Sequence, residues 1–352
     1  MVDVFDDVIG HAAVVDLLRN ESDHPAQAYL FVGPASGGKA HLARRFAAQL
    51  LSSDDPDGRR RVLAGTHPDL VLVEPDGRTA ITVDQARHTV SQASLAPLEG
   101  NRKVFLLEEG GMLNDEAANA LLKTLEEPTR STIFILVAES EDDLPDTIAS
   151  RCRTVVFGRV APEEVIAGLV RLGIDDEQAA QAARISGGRP GLAVALATQP
   201  EVAAFRRSWL SVPLQIPEHP GDAFTLAEAV AGAAEPLLAA LRARQQSELA
   251  ALEAEGGGGR VVKERHEREL KRATSALFVS GLEILAGFYR DVAAAQLGAP
   301  VRNPDIPTTA LTRIRPAAAV ANAERVLDTI DSLRANQRPM LALAALFSDL
   351  GP

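Results

Sequence analysis

The chain has 352 residues and a formal net charge of -12 at pH 7. This length exceeds what one hydrophobic core supports and predicts two or three domains, while the acidic balance excludes a generally basic nucleic-acid binder, so any contact with DNA would be local. The single cysteine, Cys152, excludes an internal disulfide framework and a zinc site built from cysteines. With no apolar run of bilayer length and an acidic start, we expect no membrane span, no signal peptide and a cytoplasmic location.

A phosphate-binding loop is predicted near the start of the chain. Residues 28–32 are apolar and indicate a buried strand, which leads into a glycine-rich segment and then an amphipathic helix. In such a loop, backbone N–H groups and a lysine surround phosphate oxygens. The residues that would do so here are Gly33, Gly37, Gly38, Lys39 and Ala40. The residue after the lysine normally supplies a hydroxyl to Mg²⁺, and Ala40 has none, so we predict a loop of the right shape with an incomplete metal site.

The segment that follows indicates ordinary secondary structure. Residues 52–65 are typical of a polar connection, and residues 70–73 indicate a second strand. A helix then begins with Thr82 or Asp84 as its cap. Neither histidine of this segment has a partner at the spacing of metal ligands, so we predict no metal site.

Two further buried strands are predicted over residues 104–107 and 133–137, on either side of a helix over residues 117–127. The first of these strands ends in the carboxylates of Glu108 and Glu109. The pattern therefore predicts a buried strand that delivers two carboxylates at its C-terminal end.

Three separated elements resemble the clamp-loader branch of the AAA+ ATPases, in that family's order and spacing. They are residues 118–128, the strand over residues 133–137 and the triplet Ser150-Arg151-Cys152. The resemblance implies that Arg151 is an arginine finger in trans, whose guanidinium stabilises charge on the triphosphate bound by the neighbouring subunit. The alternative, from the residue alone, is that Arg151 pairs with a surface carboxylate.

Four positions depart from the working ATPase pattern of that family. They are Ala40, Glu108 in a Glu108-Glu109 pair where the family has Asp then Glu, Ala138 in place of a polar γ-phosphate sensor, and Pro190 in place of a sensor arginine. A glutamate in place of aspartate lengthens the metal-binding arm by a methylene and upsets the close octahedral geometry of Mg²⁺. We therefore predict that the chain has no ATPase activity of its own and requires no cofactor. Any binding of ATP or ADP would be weak, and the chain would contact the ATP of a neighbouring subunit.

The resemblance also implies the domain organisation. Residues 1–157 would form an AAA+ α/β domain of the RecA-like P-loop type with a parallel sheet, residues 158–208 a helical lid, and residues 209–352 an all-α collar for oligomerisation. Helical spacing in the collar predicts helices over residues 222–253, 263–297, 316–336 and 339–350.

Within the family, the pattern resembles the delta-prime subunits of bacterial DNA polymerase III. That implies a non-catalytic subunit that joins tau/gamma and delta subunits in a hetero-oligomeric pentamer. The complex would open the beta sliding clamp and place it on primer-template DNA, without involving a membrane. The alternative is an active tau/gamma-type ATPase motor, which the intact frame from Gly33 to Lys39 favours. A third interpretation is a subunit that holds ADP or ATP without turnover.

Overall fold

The computed structural model describes residues 3–75, 80–216, 219–254, 260–303, 305–335 and 337–350. The chain forms two compact units, Met1–Val194 and Ala195–Pro352. The predicted boundary at residue 208 falls inside a helix that belongs to the second unit. The separation of a lid domain from the AAA+ domain stays a prediction.

The first unit contains a five-stranded sheet in the order β2-β3-β4-β1-β5. Its strands are β1 Ala28–Val32, β2 Leu70–Leu72, β3 Lys103–Leu107, β4 Thr132–Ala138 and β5 Arg153–Val156. All of these pairings are parallel, so the carboxyl ends of the strands share one edge. This confirms the predicted α/β class with a parallel sheet. The sequence pattern does not predict β5, because both ends of this short strand are exposed and it lacks a continuous apolar run.

Helices cover both faces of the sheet. They are α1 Ala12–Glu21, α2 Lys39–Ser52, α3 Pro56–Leu63, α4 Val83–Ala93, α5 Asp115–Glu126 and α6 Asp146–Ala149. The helices α7 Pro162–Arg171 and α8 Asp176–Ser186 follow the last strand and pack against each other, and α9 Pro190–Thr198 contains the boundary between the units. On β1, Tyr29 and Phe31 belong to the core that includes α2, whereas Leu30 belongs to the core that includes α5. This alternation is what a strand buried on both faces requires.

Two details of the helices differ from or refine the sequence predictions. Of the two predicted caps, Thr82 is the one that caps α4, in a reciprocal capping box. The prediction of a connection over residues 52–65 is wrong, because α3 occupies most of it. Asp55 caps α3 with its side chain, and Pro56 takes the first helical position, where a missing N–H costs nothing.

Helices make up the core of the second unit. They are α10 Pro200–Ser211, α11 Pro220–Gly232, α12 Glu235–Ala254, α13 Arg260–Gln296, α14 Thr308–Leu311, α15 Pro316–Arg334 and α16 Pro339–Asp349. Trp209 is fully buried, and a Cβ added to Gly281 would come within 1.9 Å of its indole, so the two helices that carry them are closely packed. The predicted helix over residues 222–253 is two helices, α11 and α12, because the first ends at Gly232.

Within the described ranges, no single helix is both long and apolar enough to cross a membrane. Two consecutive helical segments, Gly221–Gly232 and Glu235–Ser247, are long and apolar enough for a membrane span only when taken together, and they are bent by 48° where they meet.

A buried carboxylate organises the segment between α4 and β3. Asp69 is fully buried, and its side chain accepts hydrogen bonds from the backbone N–H groups of Leu98, Glu99 and Gly100 at 2.5, 2.9 and 3.0 Å. The N–H of Asp69 in turn donates to His67 Nδ1 at 3.1 Å. Burial alone would raise the pKa of Asp69, but the three N–H bonds outweigh burial and hold that pKa below its usual value.

Asp69→Ala would leave these backbone donors without their acceptor. We expect the free energy of unfolding at pH 7 to fall by about 3 kcal/mol in urea denaturation. Because the folded-state pKa is lowered, the contribution of Asp69 is complete above the unfolded-state pKa of about 4 and is lost as the pH falls through the folded-state value. The difference between the two proteins should therefore shrink below about pH 4.

Asp16→Ala is the matched control, because the Asp16 side chain on α1 is 68% exposed. We expect this control to change the free energy of unfolding by less than about 0.5 kcal/mol. Equal losses in the two variants would contradict the organising role of Asp69.

Candidate functional site

The glycine-rich loop joins β1 to α2 at the carboxyl edge of the sheet. Gly33 and Gly38 have φ angles of 147° and 96°, in the left-handed region that favours glycine. A Cβ added to Gly33 would lie 2.3 Å from the carbonyl oxygen of Phe157, and one added to Gly37 would lie 2.8 Å from that of Pro34. The backbone geometry therefore requires glycine at all three positions.

Lys39 folds back over the loop that it follows. Its Nζ donates hydrogen bonds to the carbonyl oxygens of Gly33 and Pro34 at 2.6 and 2.8 Å. Burial lowers the pKa of Lys39 below its ordinary value, although the charges of Glu139 and Asp143 act in the opposite direction. The ammonium group is thus bonded to the loop itself, and contact with a phosphate would require it to exchange these partners.

Two further contacts hold the loop, and the sequence predicted neither. His11 has a φ angle of 56°, and its Nε2 donates to the carbonyl oxygen of Gly37 at 2.8 Å while its ring meets Phe157 edge-on at 5.0 Å. The N–H of Gly191 donates to the carbonyl oxygen of Ser36 at 3.0 Å. Both contacts join residues far apart in the chain, so no local pattern reveals them.

At the end of β3, Glu108 is paired with an arginine. Arg44 lies on α2, one turn after Ala40, and donates to both carboxylate oxygens of Glu108, from Nε to Oε1 and from Nη2 to Oε2 at 2.8 Å. The hydrogen bond with Glu108 raises the pKa of Arg44 above its ordinary value. Glu109 is the next residue along the chain. Of the two positions that would hold Mg²⁺, Ala40 offers only a methyl group, and the carboxylate of Glu108 is already bound by the guanidinium of Arg44. These residues do not fit a magnesium nucleotide.

The two predicted sensor positions carry no group suited to a γ-phosphate. Ala138 ends β4, and the Asp143 carboxylate accepts the N–H of Glu139 just beyond it at 2.9 Å, which places two acidic residues there. Pro190 begins α9, and Arg189 before it donates through Nε to a carbonyl oxygen at the end of α8 at 2.9 Å. Among the described residues, no group of three or more His, Cys, Asp or Glu is arranged to hold a metal ion.

Arg151 follows α6 and is bonded within its own chain. Its Nε donates to Glu126 Oε1 at 2.9 Å, Nη2 donates to the same oxygen, and Nη1 donates to the carbonyl oxygen of Thr147 at 2.7 Å. In the isolated chain, Arg151 therefore pairs with a surface carboxylate, that of Glu126, which is the alternative drawn from the sequence. Cys152 is no nucleophile at neutral pH, since burial raises its pKa to about 12.

The sheet register separates Arg151 from the loop of its own chain. β1 and β5 are parallel, with Tyr29 opposite Arg153 and Val32 opposite Val156. The loop follows the last residue of β1, whereas Arg151 precedes the first residue of β5. The two therefore lie at opposite ends of the strands, about 20 Å apart along the strand direction at the usual rise per residue. The structure thus brings together the loop, Glu108 and the ends of β3 and β4, and it leaves Arg151 away from them.

Comparisons with known proteins show which proteins this chain is similar to. The family model described as "DNA polymerase III, delta subunit" matches residues 10–161. The DNA polymerase III subunit delta' of Pseudomonas aeruginosa is 42% identical over 136 residues, which cover 36% of this chain and 42% of that protein. The subunit delta' of Bacillus subtilis is 31% identical over 220 residues, which cover 60% of this chain and 66% of that protein. These matches support a clamp-loader delta-prime subunit.

These matches cover parts of the relatives. The chain spans 42% and 66% of the lengths of the two delta-prime relatives. Among solved structures, a DNA polymerase III gamma subunit-related protein from Thermotoga maritima aligns over 96% of this chain and 99% of its own, with 16% identity and a TM-score of 0.49.

The isolated chain should release no phosphate from ATP above background. The reason is that Ala40 offers no hydroxyl to a metal and Glu108 is held by Arg44. Steady-state phosphate release with Mg²⁺ and ATP measures this, with Lys39→Ala as the comparison. We expect the two proteins to be indistinguishable. Turnover near one per second that disappears in Lys39→Ala would contradict the prediction.

Proposed function

We propose that this chain is a non-catalytic delta-prime-type subunit of the replicative clamp loader. In this proposal it works in the cytoplasm and completes a pentamer with tau/gamma and delta subunits. The pentamer opens the beta sliding clamp and places it on primer-template DNA. The chain contributes Arg151 to the ATP site of its neighbour and hydrolyses no ATP itself.

The observation that carries this proposal is the position of Arg151. It lies at the opposite edge of the sheet from its own phosphate-binding loop, so it is out of reach of a nucleotide bound there. An arginine finger stabilises charge only when its guanidinium reaches the phosphoryl oxygens. Arg151 can therefore act on a nucleotide only if another chain brings that nucleotide to this edge.

The present partners of Arg151 do not oppose this role. The side chains of Arg151 and Glu126 are 33% and 47% exposed. An exposed ion pair of this kind contributes about 0 to 1 kcal/mol. Exchange of Glu126 for a neighbour's phosphate, which also accepts charge-assisted hydrogen bonds from arginine, therefore costs little.

The alternative of an active tau/gamma-type motor has less support. Such a motor needs a complete metal site beside its phosphate-binding loop. Here the loop has the required shape, but Ala40 and the Arg44–Glu108 pair stand at the metal positions.

Arg151→Ala should lower the ATPase rate of the reconstituted loader with clamp and primed DNA while leaving assembly intact. We expect a partial loss, about tenfold or more at the affected site, because other subunits keep their own fingers. Arg151→Lys should be similarly impaired, since an ammonium group lacks the two-point geometry. Assembly is confirmed first by size-exclusion chromatography, and stimulated phosphate release is measured second.

Arg87→Ala is the matched control, because Arg87 is another ion-paired surface arginine, with a side chain 71% exposed. It should leave the rate unchanged. An intact complex with an unchanged rate in Arg151→Ala would reduce Arg151 to a structural residue.

The second unit offers a surface for assembly on α15. Val320 and Leu327 are 51% and 52% exposed, and their spacing of two helical turns places them on one face. Exposed Glu324 lies between them on the same face. An apolar stripe with an acidic residue is suited to contact with another subunit, and we assign this face of α15 to the collar contact.

Val320→Glu combined with Leu327→Glu should prevent co-elution with tau/gamma-type and delta-type subunits, because two charges would enter an apolar contact. The thermal unfolding midpoint should change little, since both side chains are exposed in the free chain. Leu297→Glu is the control, as Leu297 is 76% exposed and lies outside this face. Undiminished assembly of the double variant would contradict the assignment.

A further inference from the structure

We propose that Arg44 is the resident cation of the degenerate nucleotide site. In this proposal its guanidinium neutralises Glu108 and excludes divalent metal from the site. Any phosphate group that the loop takes is then bound without Mg²⁺. The inference goes beyond the proposed role in assembly, because it concerns the isolated chain.

Arg44 lies on α2 close to the glycine-rich loop. Ala40 and Arg44 are one helical turn apart and share a face of the helix. Helical side chains lean toward the N-terminus of their helix, so the Arg44 side chain extends over the turn that carries Ala40. That turn adjoins the phosphate-binding loop. The small side chain of Ala40 therefore leaves room for the long cationic side chain of Arg44 beside the loop.

The geometry of the Arg44–Glu108 pair opposes metal binding. Both oxygens of Glu108 accept from Arg44, in the two-point form that gives arginine–carboxylate pairs their strength. Mg²⁺ binds carboxylate oxygens at 2.0–2.1 Å in a nearly ideal octahedron. A metal ion at Glu108 would have to displace the guanidinium and then remain beside its positive charge.

The positive charge of Arg44 is permanent. A guanidinium does not lose its proton in proteins, so Arg44 supplies a fixed positive charge at every physiological pH. The Glu108 side chain is only 24% exposed, which limits the screening of the pair by water. Arg44 neutralises the carboxylate and offers no Lewis-acid position to a phosphate.

The rival explanation is that the Arg44–Glu108 pair only ties α2 to β3. A purely structural pair predicts lower stability in Arg44 variants and no change in metal affinity. A resident cation predicts a gain of metal affinity when the guanidinium is removed and the missing hydroxyl is supplied. The two explanations therefore differ in a readout other than activity.

The test is a titration of the full chain with Mn²⁺ in the presence of ADP, in which bound and free Mn²⁺ are separated by electron paramagnetic resonance. Four proteins are compared: the natural chain, Ala40→Ser, Arg44→Gln, and the double variant. We expect the double variant to bind Mn²⁺ with ADP at least about tenfold more tightly than Ala40→Ser, a factor that corresponds to the loss of one repelling interaction. The natural chain should bind no more Mn²⁺ than ADP alone does.

Two outcomes would overturn the proposal. They are equal Mn²⁺ affinity in Ala40→Ser and the double variant, and absence of any gain in the double variant. Circular dichroism confirms that each variant is folded, and Ala40→Ser with Arg44→Lys serves as a charge-retaining control that should show no gain.

A second measurement needs no variant. The effect of ADP on the thermal unfolding midpoint of the natural chain is compared in Mg²⁺ and in a chelator. Equal ADP-induced shifts of the midpoint in the two conditions support the proposal. A larger ADP-induced shift in Mg²⁺ would overturn it.

Discussion

The parallel register of β1 with its neighbours is the constraint on which the rest of the site depends. It places the glycine-rich loop and the end of β3 at one edge of the sheet, where Lys39 and Glu108 lie. The same register places Arg151 at the other edge. A chain built in this way has a glycine-rich loop at one end of its strands and the Arg151 guanidinium at the other, so in the proposed role the two would meet only between different chains.

The charged groups around the glycine-rich loop explain why the shape of the loop alone does not indicate an active ATPase. Lys39 is bonded to carbonyl oxygens of its own loop, and Arg44 is bonded to both oxygens of Glu108. Both charged groups thus already have hydrogen-bond partners inside the chain, and Glu108 is also neutralised by its partner. Loss of one group that stabilises transition-state charge costs about two powers of ten in rate, so we expect several such losses to remove useful turnover. The family's glycine frame is kept because the backbone geometry of the loop requires it.

The sequence was sufficient for the elements with strong local signals. The buried strands β1 to β4, the capped helix α4 and the glycine loop all follow from apolar runs, caps and φ requirements. It was insufficient for contacts between distant residues. The pair of Arg44 with Glu108, the bond from His11 to Gly37 and the three-point binding of Asp69 are set by tertiary packing, which overrides local preference. The helix α3 was missed because its polar, arginine-rich residues resemble those of a loop.

The measurement that tests the central claim most directly is native mass spectrometry of this chain mixed with tau/gamma-type and delta-type subunits of a bacterial clamp loader. The account predicts a hetero-pentamer that contains one copy of this chain, and no self-association of the chain alone. A homo-oligomer of this chain that forms without partners, or failure to enter a complex that the other subunits form, would contradict it.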